Sequence, residues 1–267
     1  MLSNLHTHTR FCDGSAGAEE LVTEAIEKGF VSLGFSAHAY APYGTSYCIK
    51  DEDGYISEIK RLKKKYRDKI EIYLGIEEDA FHYADRKNYE YLIGSMHYVQ
   101  TRNGLLPIDL GEDCVRKILD AFDGKVGAVA NAYYGALYDY LMARRPDVVG
   151  HFDLLTKYDE LGESYFLGKP EHDKIALDCV GRLAKEGFLF EVNTGAIARG
   201  MRKTPYPAPS LLREIKKQGG SIILNSDCHS LGNLDCKFKE TKDMLRDIGF
   251  DELTVLCNYK FTKYKFI

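Results

Sequence analysis

The stretch from Ser221 to His229, free of charge as far as Ser226, carries in nine residues the pattern from which the architecture is read.

 Residue by residue it reads Ser221-Ile222-Ile223-Leu224-Asn225-Ser226-Asp227-Cys228-His229: a short apolar run suited to a buried strand, ending in side chains that bind metal ions. Alternation along an extended chain turns Asp227 and His229 one way and Cys228 the other, which predicts a packed thiol at 228 rather than a nucleophile. The arrangement recurs along the sequence. Runs at 2–5, 31–36, 70–76, 91–95 and 148–150 are followed by His6 and His8, His38, Glu77, His97 and His151, and further strand candidates lie at 188–192 and 253–256. Between them, three-to-four-residue apolar spacing predicts helices near 18–28, 55–66, 112–122, 129–143, 174–185, 210–217 and 239–247. No clear pattern is readable over 97–111.

Alternation of this kind over 267 residues predicts a single α/β domain, 1–267, with a parallel sheet and crossover helices. A closed barrel is the favoured form, an open doubly wound sheet the other. In a parallel barrel all strand C-termini open on one face, so residues distant in sequence converge there. Six of the eight histidines would then share that face. Taken singly, His38, His97 and His151 are each as well read as hydrogen-bonded structural histidines, and Glu77 as an exposed acidic strand end. One polynuclear site accounts for all of them together, with Glu77 able to bridge two ions. Asp13 suits either a ligand or the cap of the helix beginning near Gly17. His82 and His172 are read as surface or supporting residues.

With 45% hydrophobic and 28% charged residues, the composition excludes disorder, collagen and coiled coil. A net charge of −4 gives no footprint for nucleic acid or an anionic membrane. The seven cysteines are scattered without a C-x-x-C pair, which predicts free thiols in a reducing cytosol. No signal-peptide or membrane-span pattern is visible, so the expected location is cytoplasmic. No G-x-S-x-G, P-loop or G-x-G-x-x-G motif supports a serine hydrolase, a P-loop enzyme or a dinucleotide-binding protein.

The ordered motifs His6-Thr-His8-Thr, Ser36-Ala-His38, Glu77 after Leu-Gly-Ile, Gly94-Ser-Met-His97, Gly150-His151-Phe-Asp and Ser226-Asp-Cys-His229 resemble those of the PHP superfamily of metal-dependent phosphoesterases. Within it, the His6-to-Gly14 opening and Glu191-Val-Asn-Thr-Gly are most similar to the monofunctional histidinol-phosphate phosphatases. The resemblance implies a distorted (β/α)7 barrel with a trinuclear metal site at the C-terminal strand ends. It implies one ion on His6, His8, Glu77 and Asp227, a second on Glu77, His97 and His151, and a third on Asp13, His38 and His229. Asp13 stands where a histidine is common in the superfamily. The implied cofactors are two to three divalent ions, Mn, Fe or Zn. The implied reaction is hydrolysis of L-histidinol phosphate to L-histidinol and phosphate, a step of histidine biosynthesis, by attack of a metal-bridging hydroxide.

On this reading Glu77, Asp227, His229 and Arg199 are the catalytic residues. Arg199, soon after the sixth strand, is the expected phosphate clamp, and Lys157 a second phosphate contact, with Arg202 read as a solvated neighbour. Tyr40, Tyr43 and Tyr47 are candidates for lining the substrate's imidazole and amine. The expected partner is a small-molecule phosphomonoester, with no nucleic acid and no membrane; oligomeric state has no sequence signal. The rivals are a PHP phosphoesterase acting on nucleotides and a non-catalytic metal-binding module.

Overall fold

The computed structural model describes residues 1–266. Nine strands form one curled sheet, half of a barrel in outline: β1 (Ser3–Asn4), β2 (Ser32–Phe35), β3 (Glu71–Asp79), β4 (Tyr91–Ser95), β7 (Val148–Val149), β8 (Leu189–Asn193), β9 (Ser221–Asn225), β10 (Glu252–Cys257) and β11 (Lys260–Lys265), in that spatial order. The first eight pair in parallel, and β11 returns antiparallel to β10. All eight strand candidates of the sequence lie in this sheet, and β11 is a ninth strand beyond them. The eighth touches β9 through a single residue pair, Thr254 with Ile223, and a hairpin beyond it adds the ninth. At the other end of β9, an isolated parallel bridge joins Thr7 to Cys228. Asp227, at φ 49°, makes the left-handed turn that delivers Cys228 to that bridge.

Residues 97–111, unpatterned in sequence, contain a separate hairpin of β5 (Tyr98–Thr101) and β6 (Gly104–Pro107). It lies outside the main sheet, so only part of it meets the core and its alternation is weak. Crossovers are made by α1 (Ala18–Glu27), α2 (Glu52–Lys65), α3 (Glu112–Ala121), α4 (Val126–Arg144), α5 (Pro170–Lys185), the single turn α6 (Gly195–Ala198), α7 (Pro209–Lys217) and α8 (Phe238–Ile248). Helix starts lie a few residues before those expected where caps or prolines, not apolar residues, begin the helix. Asp51 caps α2 by accepting from the Gly54 amide at 2.9 Å, and Pro170 and Pro209 open α5 and α7.

The sheet separates two apolar regions. Outside it, residues such as Leu33, Ile59, Leu92, Leu141 and Leu183 bury the helices. Inside it, Leu5, Tyr73, Tyr91, Ile93, Val148, Ile223 and Leu256 form a smaller core. Tyr91 spans this interior, donating to the carbonyls of Leu5 and Phe35. Its ring requires glycine at 75, where a Cβ would come within 2.1 Å of it. This packed floor supports the polar cluster above it at the strand C-termini.

Candidate metal centre

The cluster is built on Glu77, near the end of β3. Alternation sends Glu77 into the curl of the sheet and Glu78 out towards α4. The Glu77 carboxylate is 1% exposed and faces five imidazoles. Its Oε2 lies 3.2 Å from His6 Nε2, 3.5 Å from His8 Nε2 and 2.9 Å from His38 Nδ1. Its Oε1 lies 3.5 Å from His97 Nε2 and 2.9 Å from His151 Nε2, and accepts from Ser95 Oγ at 2.6 Å. Asp227 Oδ1 adds a second anionic oxygen, 3.2 Å from His8 Nε2 and 3.5 Å from His6 Nε2. The His8 ring stacks on His229 at 4.1 Å between centroids, and His229 Nε2 lies 3.3 Å from Asp13 Oδ2.

All nine expected ligands therefore meet in one place. The groups whose donor atoms all lie within 4.8 Å of one another are His8, Asp13, His38 and His229; His6, Glu77 and His151; His6, His8 and Asp227; and His38, Glu77 and His97. The grouping differs in detail from the one the resemblance implies: His8 joins the Asp13 group, and His97 and His151 approach Glu77 beside different partners. Asp13 belongs to this cluster and not to the helix cap, since Glu20 accepts from the Gly17 amide at 2.6 Å and closes the start of α1.

Buried His6 Nε2, His8 Nε2 and Glu77 Oε2 have no hydrogen-bond partner. Lone pairs left unmet in a dry interior are costly unless a ligand engages them, and His and carboxylate donors are the set that divalent transition ions take. The residues thus fit the metal ions that the motifs imply. The electrostatics are strongly coupled. Burial disfavours a charged Glu77, yet His6, His38 and His97 hold its carboxyl well below the usual range. Burial pushes His8 down to about 3, helped by His229 and His38. At His97 burial acts in the same sense, but Glu77 and Asp79 outweigh it and raise the imidazole to about 9.

Arg199 follows α6 and reaches the cluster. Its Nη2 donates to Asp227 Oδ2 at 3.0 Å, and its Nη1 lies 3.2 Å from both the Asp227 carbonyl and His229 Nδ1. Lys157 Nζ donates to the Asp109 carbonyl at 3.2 Å and lies 3.6 Å from its carboxylate. Tyr43 donates to Asp79 Oδ1 at 2.7 Å, while the Tyr47 ring stands edge-on to His38 at 4.9 Å. Tyr40 does not join them: it is 51% exposed and packs against His82.

Two further expectations are corrected. Arg202 is 2% exposed, not solvated; it donates to Glu160 at 2.9 Å and to the Thr156 carbonyl at 3.1 Å, tying the loop after α6 to the loop bearing Lys157. His172 is buried in α5, bonded to Tyr134 and Asp173, and is not a surface residue. Cys228 is a packed thiol, as alternation predicts, donating to the Ser230 carbonyl at 3.0 Å. Sequence reasoning passed over Glu191, a fully buried carboxylate within 2.7 Å of His6 Nδ1; an acidic residue inside the apolar run Phe188–Val192 was its available signal.

The profile of the PHP domain matches residues 4–195 of the chain. This chain belongs to the PHP domain family. Two curated relatives align over most of it. The "Probable histidinol-phosphatase" of Schizosaccharomyces pombe is 27% identical, over 94% of this chain and 87% of its own length. The histidinol-phosphatase of Bacillus subtilis is 26% identical, over 86% of this chain and 94% of its own. Among solved structures, the histidinol phosphate phosphatase of Lactococcus lactis, in complex with zinc, L-histidinol and phosphate, superposes with a TM-score of 0.71. It covers 97% of this chain and 98% of its own at 21% identity, a likeness of fold.

Proposed function

We propose that this PHP-family chain is a metal-dependent phosphatase that hydrolyses L-histidinol phosphate to L-histidinol and phosphate. The observation that carries the reading is Glu77: a buried carboxylate facing five imidazoles, with one oxygen lacking any hydrogen-bond partner. The substrate comes from the histidinol-phosphatases that align with the chain over most of both lengths.

In this reading the seven parallel strands from β1 to β9 form a distorted (β/α)7 barrel, with the Thr7–Cys228 bridge as its seam. Two to three divalent ions, Mn, Fe or Zn, are held by His6, His8, Asp13, His38, Glu77, His97, His151, Asp227 and His229. When bound, the ions supply Lewis-acid polarisation of the phosphate and of the attacking water. The protein supplies the rest. Glu77, central to the cluster, shares its two oxygens between opposite groups of imidazoles. Asp227 holds Arg199 through its Oδ2, leaving the remaining guanidinium N–H groups to donate to a phosphate oxygen. Lys157, which donates to the same Asp109 carbonyl that accepts from Tyr158 at 2.7 Å, is the proposed second phosphate contact. Tyr43 and Tyr47 offer an aromatic and hydroxyl lining for the imidazole and amine.

The direct test is release of phosphate from L-histidinol phosphate and from nucleoside monophosphates by the metal-quantified protein. Turnover of the first with little of the second is expected. Efficient nucleotide hydrolysis without turnover of histidinol phosphate would overturn the substrate. No described helix is long and apolar enough to cross a membrane; the proposed place of action on this small substrate is the cytoplasm.

A further inference from the structure

Glu191 lies on β8, fully buried beside the cluster, and takes no part in the assignments above. Its Oε1 accepts from His6 Nδ1 at 2.7 Å and from Asn225 Nδ2 at 2.9 Å. Its Oε2 accepts from the His151 amide at 2.9 Å and from Asn193 Nδ2 at 2.8 Å. Both asparagine orientations are settled by their other ends: Asn193 Oδ1 accepts from the Gly195 amide at 2.8 Å, and Asn225 Oδ1 from the Leu5 amide at 2.9 Å. Each asparagine therefore turns its amide donors towards Glu191. The His151 amide is a donor by nature. With three fixed donors already around it, the carboxylate accepts a fourth from His6, which puts the imidazole proton on Nδ1 and leaves the Nε2 lone pair facing Glu77 and Asp227.

We infer that Glu191 is the positioning residue of this centre: its carboxylate sets the tautomer and ring angle of His6 and fixes the backbone at His151, aligning ligands from two separate strand ends. The inference rests on the metal reading of the cluster. Glu191 itself touches no reacting atom; it acts through His6 and His151. Its chemistry is restrictive. A carboxylate accepts on both oxygens, so four donors suit it. A carboxamide of the same shape must aim its own N–H groups at two donors in either orientation. Glutamine is therefore a poor replacement here, and aspartate, which keeps both acceptors but is shorter, a better one. A hydrogen bond from the outer nitrogen of a ligating histidine to a carboxylate orients the ring and raises its basicity as a ligand.

The test is titration of metal-free protein with cobalt(II), followed by visible absorption, for the wild type, Glu191→Gln and Glu191→Asp, with the metal-free fold checked by circular dichroism. Glu191→Gln is expected to stay folded and to lose roughly 10- to 100-fold in affinity for at least one cobalt ion, the scale of losing such a partner. Glu191→Asp is expected to recover part of that loss. A folded Glu191→Gln protein that binds cobalt like the wild type would overturn the inference while leaving the metal reading intact. Loss of the metal-free fold in both variants would also overturn it, since the carboxylate would then be a structural tie. A wild type that binds no cobalt would overturn the metal reading and, with it, the inference.

Discussion

Glu77 and Glu78 are neighbours on one strand and equally buried, yet their surroundings are opposite. Glu78, on the helix side, is met in full: Arg144 donates to both oxygens at 2.7 and 2.8 Å, Tyr140 to one at 3.0 Å, and the Ala84 amide to the other at 2.7 Å. Glu77, on the inner side, has imidazoles around it and an oxygen without a hydrogen bond. A buried charge that the chain satisfies by itself belongs to the fold; one that it leaves short belongs to a ligand. The same contrast separates His172, bonded at both ring nitrogens, from His6 and His8, whose inner nitrogens have no hydrogen-bond partner.

The contrast can be broken most strongly at Glu77. Glu77→Gln is expected to lower phosphate release by at least about 10³-fold, the scale of losing a preorganised charge at a reacting centre, and to lower metal content measured by mass spectrometry. Turnover and metal content like the wild type's would remove Glu77 from the centre. On the other face, Arg144→Met should cost about 3–5 kcal/mol of stability, because it strands Glu78 as an uncompensated buried charge. Denaturant unfolding measures that loss, and the metal content of the folded fraction should stay at the wild-type level.

Removing metal sharpens the comparison without mutation. If ions bind at 100-fold above their dissociation constant, dialysis against a chelator should remove about 2.7 kcal/mol of stability, read as a fall in Tm, together with all phosphatase activity. The Arg144→Met protein should lose a similar increment, since the two faces are independent. Arg199→Ala comes next. Loss of a charge-assisted contact to phosphate should raise KM about 10- to 100-fold, corresponding to about 1.5–3 kcal/mol; unchanged kinetics would take Arg199 out of the site.

The smallest effect is expected at Glu160. Burial opposes its ionisation, but Arg202 and the donors from Thr204 and Lys203 outweigh that and lower its pKa in the folded protein. A carboxyl depressed on folding contributes stability above the unfolded pKa of about 4.3. That contribution is lost as pH falls through the folded value. Since the group is partly solvated, it amounts to less than about 1 kcal/mol. Glu160→Gln should therefore lower stability by that amount at neutral pH and have little effect in acid, which flattens the acid limb of the stability profile.

Much of the centre is legible in sequence because a strand has a period of two and a ligand at its end has a fixed direction. His6 with His8, and Asp227 with His229, need only local alternation to be recognised as pairs, and the strand runs at 91–95 and 221–225 coincide with β4 and β9. The hairpin over 98–107 was not legible, since it packs on the side of the domain and lacks the clean alternation of a strand with one dry face. Arg202 and His172 were misread because charge and polarity predict exposure only on average. Their partners Glu160 and Tyr134 lie roughly 40 residues away in sequence, so no local window contains both ends of either contact.

By itself, then, the sequence determined which residues could be ligands, the alternation that sends them to one edge of a parallel sheet, and the family whose motifs they share. Only the tertiary structure decided how they group. His8 meets Asp13, and His6 meets Glu191, through the curl of the sheet, which sets distances between strand ends by packing around Tyr91 and the interior core. The sequence singles out Glu77 by its motif, but it does not show how the surroundings of Glu77 and Glu78 differ, because residue type is the same in both. What distinguishes them is which donors the folded chain brings to each carboxylate, a sum over contacts that exists only once the strands and α4 are in place.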